Sequence, residues 1–302
     1  MRNTYCALRS PLSVFLFFAV SILLSVPAFA GDTAVANSEI NAGHAEVKRD
    51  VNEIQAGLAP HFYTRKDQLY SPLWHQGLSA EGIELRYNRS GNNSVHQVLV
   101  AVSKSKIKAG PTWEYVSWPT NEAVTTWPVY ITHINLGYAY LHTLPTPDVV
   151  TLRLGGALDV ELQNIEWMIA DYGFGSYLGT IDLDVKAELN VPLGKRHDLT
   201  LDLALPIVAW VARSPYSIHD ETTIFNNRDD NIPKTVVRYL GAGRLETWNS
   251  YQAVKAALTW RRQITASAGL ALSIHTKMVA IRKPRPVVAT DTGINIAANF
   301  RF

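Results

Sequence analysis

The residues most able to do chemistry are charged side chains that recur at alternate positions of the segments 150–163, 177–191 and 199–212. They are Arg153, Asp159, Glu161, Asp182, Asp184, Lys186, Glu188 and Asp202. If these segments are β-strands, alternate residues share one face, and six carboxylates against two basic groups form an acidic surface. An acidic interior of this kind could pass or select small cations. Alternatively, the carboxylates pair with these two basic groups and with Arg86 and Arg301, and they fill an interior that conducts nothing.

A hydroxyl and an imidazole form a second candidate site. Ser273 and His275 are two residues apart, so on a strand they share a face, and a serine beside a histidine can act as nucleophile and base. His133 lies on another predicted strand, near the same end of the sheet. These residues make a lipid hydrolase the alternative function.

The segment 213–249 is rich in oxygen ligands but lacks a recognised metal-binding pattern. Its polar residues include His219, Asp220, Glu221, Asp229, Asp230 and Asn231. Their spacing does not match an EF-hand loop, and the sequence contains no G-x-S-x-G, H-E-x-x-H, P-loop or dinucleotide fingerprint. We therefore predict no cofactor and no bound metal. A long exposed loop could also serve a surface adhesin or receptor, which is a third hypothesis.

The elements that position these residues are β-strands. From Thr180 to Val191 every odd-numbered residue is apolar and every even-numbered residue is polar. A helix would scatter the charges around its circumference, whereas a strand collects them on one side. The segment 150–163 repeats the pattern, and weaker forms of it occupy 83–90, 95–103, 129–142, 199–212, 250–261, 264–276 and 290–302.

The length of the clearest strands favours a membrane barrel over a soluble sandwich. They run for roughly 12–15 residues, whereas strands of soluble proteins average about 5–6 and a tilted membrane-spanning strand needs about 9–11. A chain that crosses lipid with strands must close its sheet, so we predict an all-β, antiparallel up-and-down transmembrane barrel. Nine strands are visible and an even number is expected. Either 61–78 or 213–249 supplies the remainder, which makes ten or twelve strands.

The connections and the aromatic residues fit this barrel. Counting back from the C-terminus, the external loops become 277–289, 213–249, 164–176 and 104–128, and the short periplasmic turns become 261–263, 194–198 and 144–148. Lipid-facing aromatic residues are expected at both membrane interfaces. They are Tyr138, Tyr140, Trp260, Phe300 and Phe302 at periplasmic ends, and Tyr130 and Tyr177 at external ends.

The first 30 residues have the organisation of a secretory signal peptide. Arg2 and Arg9 precede the uncharged stretch Leu12–Val26, and Ala28-Phe29-Ala30 supplies an A-x-A cleavage site. Cleavage would remove Cys6, the single cysteine. The mature chain would then have neither a disulfide nor a lipidated N-terminal cysteine.

The segment 31–60 does not alternate and is predicted to precede the barrel, which then occupies 61–302. Val47, Val51, Ile54 and Leu58 are spaced as the stripe of an amphipathic helix. We therefore expect a short helical or disordered segment that lies in the periplasm or in the lumen.

The charge balance excludes one class of partner. The chain has 28 basic and 26 acidic residues, and removing Arg2 and Arg9 with the leader brings the net charge to zero. No basic surplus remains to bind phosphates, so nucleic acid is not an expected partner.

The C-terminal segment Ile294–Phe302 alternates apolar and polar residues and ends in an aromatic residue. In this it resembles the terminal strand of Gram-negative outer-membrane β-barrel proteins. The resemblance implies that the barrel-assembly machinery reads this strand and that the protein contacts outer-membrane lipid. A helix ahead of a barrel also resembles a solitary autotransporter-type barrel, although no passenger domain fits into 31–80.

These observations predict a non-enzymatic outer-membrane barrel of a Gram-negative bacterium. It would be structural, or a narrow porin-like channel for small cationic solutes. Outer-membrane lipid hydrolases carry a His-x-Ser pair that faces lipid. In this chain the order of Ser273 and His275 is reversed and the pair is expected to point inward.

Overall fold

The structure is a computed structural model. It describes residues 51–110, 114–116, 121–125, 128–146, 150–169, 172–214 and 232–302. The predicted signal peptide and most of the predicted N-terminal segment lie outside these residues. The polar residues His219 to Asn231 of the long loop lie outside them as well.

The described residues form strands and one helix. The strands are β1 Val51–Leu58, β2 His61–Asp67, β3 His75–Ser79, β4 Glu81–Ser90, β5 Ser94–Ile107, β6 Glu114–Val116, β7 Ala123–Thr125, β8 Val129–Thr143, β9 Thr151–Ile169, β10 Tyr172–Pro192, β11 His197–Arg213, β12 Arg244–Thr247, β13 Tyr251–Gln263, β14 Ala268–Ile281 and β15 Val287–Arg301. The helix α1 spans Ile232–Gly241.

The sheet closes on itself because the start of the chain pairs with its end. Strand β1 pairs with the second half of β15, and β2 pairs with the first half. Three barrel strands are each built from two pieces, namely β1 with β2, β3 with β4, and β12 with β13. With these pieces joined, the antiparallel order around the barrel is β1/β2, β3/β4, β5, β8, β9, β10, β11, β12/β13, β14 and β15. The predicted antiparallel barrel is confirmed, with ten strands.

The two ends of the barrel differ in their connections. We call the end that carries Asn52 and Phe302 the terminal end, where the two residues join by backbone hydrogen bonds of 3.0 and 3.1 Å. Strands turn back there over short segments such as 193–196 and 264–267. The other end, which we call the distal end, carries the longer connections 108–128 and 214–243 and the shorter 68–74 and 282–286.

Several predicted boundaries are wrong in detail. Strand β14 continues to Ile281 and β15 begins at Val287, so residues expected in the loop 277–289 lie mostly in strands. Strands β9 and β10 pair as far as Ile169 and Tyr172, within the expected loop 164–176. The turn expected at 261–263 lies at 264–267. The hydrogen-bond ladder of these strands extends further than the alternation predicted, because pairing between strands does not require lipid.

The helical interpretation of 31–60 is wrong for residues 51–58, which form β1. Glu53 and Gln55 are buried on the inner face, whereas Ala56 and Leu58 are exposed on the outer face. The alternation was obscured because the inward position 57 is a glycine, and Ile54 and Leu58 fit both a helical and a strand spacing. Pairing with both β4 and β15 decides in favour of the strand.

The outer surface of the barrel is apolar. Large aliphatic side chains on it are widely exposed, for example Leu183 at 48% and Ile296 at 60%. Others are Leu154, Leu158, Val185, Leu203, Leu205, Ile207, Val254, Leu258, Leu272, Ile274 and Ile294. A contiguous apolar surface of this kind is a contact surface for lipid or for another protein. Its distribution around a closed barrel matches lipid.

Most of the aromatic residues predicted to face lipid point outward. Tyr138, Tyr140, Phe300 and Phe302 are exposed near the terminal end. The partly buried Trp260 stacks on His197 with ring centroids 5.5 Å apart. Near the distal end, the ammonium groups of Lys104 and Lys106 lie 5.9 and 5.8 Å from the ring centroid of Tyr130.

Helix α1 packs against the distal part of the outer surface. The ring of Tyr239 stacks on Tyr177 at 3.9 Å, and the indole Nε1 of Trp210 donates a 2.8 Å hydrogen bond to the carbonyl of Leu240. Tyr177 is therefore buried under α1, in contrast to its predicted exposure to lipid. In the described ranges no helix is long and apolar enough to cross a membrane.

A charge on the outer surface near mid-strand should destabilise the protein. In Leu183→Arg we expect the free energy of unfolding in lipid vesicles to fall by about 2–4 kcal/mol, because the guanidinium would lie in hydrocarbon. The matched control is Leu193→Arg, since Leu193 is equally exposed but lies in the turn after β10. Urea titration followed by tryptophan fluorescence gives both values. Equal stability of the two variants would contradict a lipid-facing outer surface.

Candidate functional site

Lys255 lies at the centre of the barrel interior, among three carboxylates. Its Nζ is 2.6 Å from Asp159, 3.1 Å from Asp182 and 2.6 Å from Asp184. The side chains of Asp182 and Asp184 are completely buried. The phenolic hydroxyl of Tyr251 donates a further hydrogen bond of 2.7 Å to Asp182. These contacts join β9, β10 and β13, and β13 is not a neighbour of either other strand.

The strand register explains why a lysine is required at this point. Asp159 on β9 is directly opposite Asp182 on β10, and like charges in that position repel each other. Asp184 adds a third carboxylate on the same face. Without Lys255 these groups would be buried with no counter-charge, which is strongly unfavourable.

A second ion pair crosses the lumen between β14 and β9. Lys277 binds Glu161, and Nδ1 of His133 lies 3.6 Å from the same carboxylate. His133 in turn packs edge-on against Tyr63, with ring centroids 4.9 Å apart. Since β10, β11 and β13 separate β9 from β14, this contact spans the interior of the barrel.

Towards the terminal end a further network fills the interior. Glu188 binds Arg153 and accepts a 2.7 Å hydrogen bond from Gln97. Lys186 donates a 2.6 Å hydrogen bond to Gln97 and lies 3.3 Å from Asp202. All eight residues predicted to line the lumen thus lie on the inner face of the barrel.

The expected pairing partners Arg86 and Arg301 form other contacts. Arg86 pairs with Glu84 at 3.2 Å, and Arg301 pairs with Glu53 at 2.7 Å. The inner face is therefore less acidic than predicted, because Lys255 and Lys277 neutralise much of the charge of its carboxylates. The sequence contained a signal for both lysines, since they occupy inward positions of predicted strands or their extensions.

Much of the distal end of the interior is lined by apolar side chains. Inward side chains form two buried clusters, which we call the apolar layer. It consists of Tyr63, Ile107, Val129, Ile131, Ile165, Trp167 and Ala289 in one cluster and Leu178, Ala209, Val211, Tyr251, Ala253, Ile281 and Val287 in the other. Tyr70, from the connection after β2, stacks on Trp167 at 5.1 Å.

A buried ionic group lies within this distal region. Asp67 binds both Arg65, at 2.7 Å, and Arg213. Arg65 also donates a 2.7 Å hydrogen bond to Gln163. The side chains of Asp67, Arg65 and Arg213 are at most 3% exposed. Because β2, β9 and β11 are not adjacent, these contacts tie opposite walls of the barrel together.

Between the apolar layer and the terminal network the lumen holds a cavity of about 230 Å³. Its lining includes His61, His133, Ser273, His275 and Asp291. Three imidazoles from β2, β8 and β14 therefore face one small space. His133, Ser273 and His275 are candidate residues predicted from the sequence, whereas His61 and Asp291 are not.

The predicted pair Ser273 and His275 shares a face, but in the described part of the chain no hydrogen bond joins the two side chains. Ser273 lies opposite Asn295, and His275 lies opposite Gly293 on β15. A Cβ at position 293 would lie 2.5 Å from Cε1 of His275 and 3.1 Å from Cβ of His61. The imidazole of His275 therefore extends across Gly293 towards His61.

The serine–histidine contact that the structure does contain joins other residues. Nε2 of His61 and Oγ of Ser105 are 2.7 Å apart, and Nδ1 of His61 lies 3.7 Å from the Asp291 carboxylate. Only the fold reveals this contact, because 44 residues separate His61 from Ser105. Within the described ranges, no group of three or more His, Cys, Asp or Glu side chains is arranged to hold a metal ion.

Among known proteins, only solved structures match this chain, and they show its fold and nothing further. No protein-family model matches the chain, and no curated protein matches it. Among solved structures, the outer membrane protease OmpT from Escherichia coli matches with a TM-score of 0.54 at 5% sequence identity, over 85% of this chain and 98% of that chain. The translocator domain of the autotransporter NalP from Neisseria meningitidis matches with a TM-score of 0.43 at 9% identity, over 98% of this chain and 100% of that one.

The likeness to OmpT shows that the chain has the fold of an outer-membrane β-barrel, and it does not extend to the activity of OmpT. The resemblance to solitary autotransporter barrels stays a prediction. The same holds for the role of the C-terminal aromatic residue in barrel assembly.

Removing the central lysine should destabilise the barrel strongly. In Lys255→Met we expect the free energy of unfolding to fall by about 3–5 kcal/mol, because three carboxylates lose their buried partner. Adding Asp182→Asn should restore part of this loss. Lys104→Met is the control, since this lysine is exposed on the outer face, and we expect a change within about 0.5 kcal/mol. An effect of Lys255→Met as small as that of the control would show that the interior is hydrated.

Proposed function

We propose that this chain is an integral outer-membrane β-barrel whose lumen is closed, so that it does not conduct ions. The observation that carries the proposal is the apolar layer at the distal end. It takes inward side chains from β2, β5, β8, β9, β10, β11, β13, β14 and β15. A conducting pore needs a continuous open polar path, and the distal end is instead filled by this apolar layer together with the buried ion pairs of Asp67 with Arg65 and Arg213.

The outer-membrane location is supported by several features. The outer surface presents exposed aliphatic residues around the barrel. The leader 1–30 has the pattern of an export signal, and Ile294–Phe302 resembles the terminal strand that barrel-assembly machinery reads. We propose that cleavage of the leader precedes assembly in the membrane of a Gram-negative bacterium.

The ion pairs of the interior favour a structural role over cation transport. A cation-selective filter needs carboxylates that are free to exchange partners with the passing ion. Here the carboxylates of Asp159, Asp182 and Asp184 share Lys255, and Glu161 holds Lys277. The proposal of small cationic solutes as substrates therefore has less support than a closed barrel.

The other two hypotheses differ in their support. The hydrolase hypothesis on Ser273 and His275 lacks the hydrogen bond that activates a nucleophile. The adhesin hypothesis depends on the loop 213–249, of which residues 215–231 lie outside the described part. Of the described elements in that loop, α1 packs on the barrel wall and β12 is part of it.

Conductance measurements in planar bilayers test the closed lumen. We expect no discrete current steps from the purified wild-type protein. Combining Tyr63→Ala, Ile131→Ala and Trp167→Ala should produce steps, because these truncations open the apolar layer. The matched control truncates the same residue types on the outer face, with Tyr138→Ala, Ile274→Ala and Trp260→Ala, and it should stay silent.

The channel hypothesis makes the opposite prediction. Cation-selective steps in the wild type that lose selectivity in Asp182→Asn/Asp184→Asn would overturn the closed barrel. Heat-modifiable migration in SDS gels reports folding of every variant, so a silent variant can be separated from an unfolded one.

A further inference from the structure

We propose that His61, Ser105 and Asp291 form a serine-nucleophile site inside the barrel that cleaves carboxylic esters with small acyl groups. The proposal does not require a conducting path, but it does require that a small ester can reach the lumenal cavity from one end of the barrel. It assigns chemistry to residues that the structural role of the barrel leaves unexplained.

The geometry is that of a nucleophile, a base and an orienting carboxylate. Nε2 of His61 lies 2.7 Å from Oγ of Ser105, and Nδ1 of the same ring lies 3.7 Å from Asp291. A carboxylate on the Nδ1 side favours the tautomer that carries its proton there, which leaves Nε2 free to accept the serine proton. Asp291 is in this sense a positioning residue.

The local fold explains how three strands bring these side chains together. His61 and Ser105 lie on β2 and β5, with β3 between them. The β3 residue paired with His61 is Ser79, whose short side chain donates its hydroxyl proton to the carbonyl of Lys104. The β15 residue paired with His61 is Gly293. The small Ser79 thus leaves room for the imidazole of His61 to reach Ser105, whereas the space over Gly293 is occupied by the imidazole of His275.

A second imidazole–carboxylate pair adjoins the first. The rings of His61 and His133 are 6.1 Å apart, and Nδ1 of His133 lies 3.6 Å from Glu161. Among the described residues, the buried Nε2 atom of His133 has no hydrogen-bond partner. Buried polar atoms normally have partners, so this atom is suited to bind a polar ligand in the adjoining cavity.

The reaction is an acyl transfer to serine followed by hydrolysis. As Oγ of Ser105 attacks the ester carbonyl, its proton passes to Nε2 of His61. The bond between the carbonyl carbon and the alkoxy oxygen then breaks, and the alcohol leaves with a proton from His61. A water molecule, deprotonated by His61, attacks the acyl-serine. It releases the carboxylic acid and restores the hydroxyl of Ser105.

The burial of Ser105 limits the esters that the site can accept. Ser105 is only 1% exposed, while His61, His133 and Asp291 line a cavity of about 230 Å³. Ser105 itself is not among the lining residues, so the ester carbonyl must pass beside His61 to reach the hydroxyl, and only a short acyl chain fits there. The site therefore differs from a hydrolase that acts on the long acyl chains of membrane lipids.

Covalent labelling tests the site directly. We expect diisopropyl fluorophosphate to phosphorylate the folded wild-type protein, with loss of fluoride, and peptide mass spectrometry to place the adduct on Ser105. Ser105→Ala and His61→Gln should abolish labelling. The matched control Ser103→Ala removes a hydroxyl from the same face of the same strand and should label like the wild type. Heat-modifiable migration confirms that each variant is folded.

Ester hydrolysis and substitution of Asp291 provide two further, independent tests. We expect p-nitrophenyl acetate to be hydrolysed and p-nitrophenyl octanoate to be hydrolysed much more slowly. Asp291→Asn should slow labelling and shift the midpoint of its pH profile, whereas Asp291→Glu should restore both. A purely structural role of Asp291 would change folding without moving the pH profile.

Three results would overturn the proposal. They are absence of labelling in folded wild-type protein, labelling that persists in Ser105→Ala, and an adduct mapped to Ser273 that disappears in Ser273→Ala. The last result would instead assign the nucleophile to the pair Ser273 and His275.

Discussion

The barrel depends on the neutralisation of carboxylates that its own alternation forces into the interior. A strand that presents an aliphatic residue to lipid at every second position must present the intervening residues to the lumen. On β9 and β10 those residues are acidic, and the register places Asp159 opposite Asp182. Lys255 makes this arrangement stable, because one ammonium group lies within 3.1 Å of all three central carboxylates.

The apolar layer and the ion pairs reinforce each other. In the proposed closed barrel, the filled distal end limits the access of water to the ion pairs, which strengthens them and raises the cost of leaving a group unpaired. Asp67 is accordingly held by two arginines. The same pairs connect strands that are not neighbours in the sheet, so they fix the cross-section of the barrel as well as its charge. A wide, hydrated lumen would need neither arrangement.

The sequence predicted whether a side chain points into the lumen far better than it predicted which residue that side chain contacts. Alternation in 177–191 was sufficient to place Asp182 and Asp184 inward, because period two follows from strand geometry alone. Their partner Lys255 lies 71 residues further along the chain than Asp184, and nothing in a single sequence specifies which strands lie across the lumen. The same limit applies to His61 with Ser105.

The errors in the prediction have local causes. Strand pieces that begin or end inside the barrel wall, such as β1 and β12, are too short to show a clear period. In β11 the register slips near Ile207, where Pro206 pairs with Asp184 and Val208 pairs with Leu183. Beyond this bulge the odd-numbered residues of β11 turn from the outer to the inner face, so Ala209 and Val211 join the apolar layer. A prediction that continues the alternation through the bulge assigns them to lipid.

The interruptions of the first two strands lie beside the contacts of His61 with Ser105 and Asp291. Pro60 separates β1 from β2 immediately before His61, and Ala80 separates β3 from β4 immediately after Ser79. Proline cannot donate to the ladder, so its position limits continuous pairing. The carbonyl of Ala59 lies 2.2 Å from where a Cβ at position 82 would be, which requires Gly82. Two adjacent strand breaks and a glycine at close approach therefore lie next to the histidine of the proposed site.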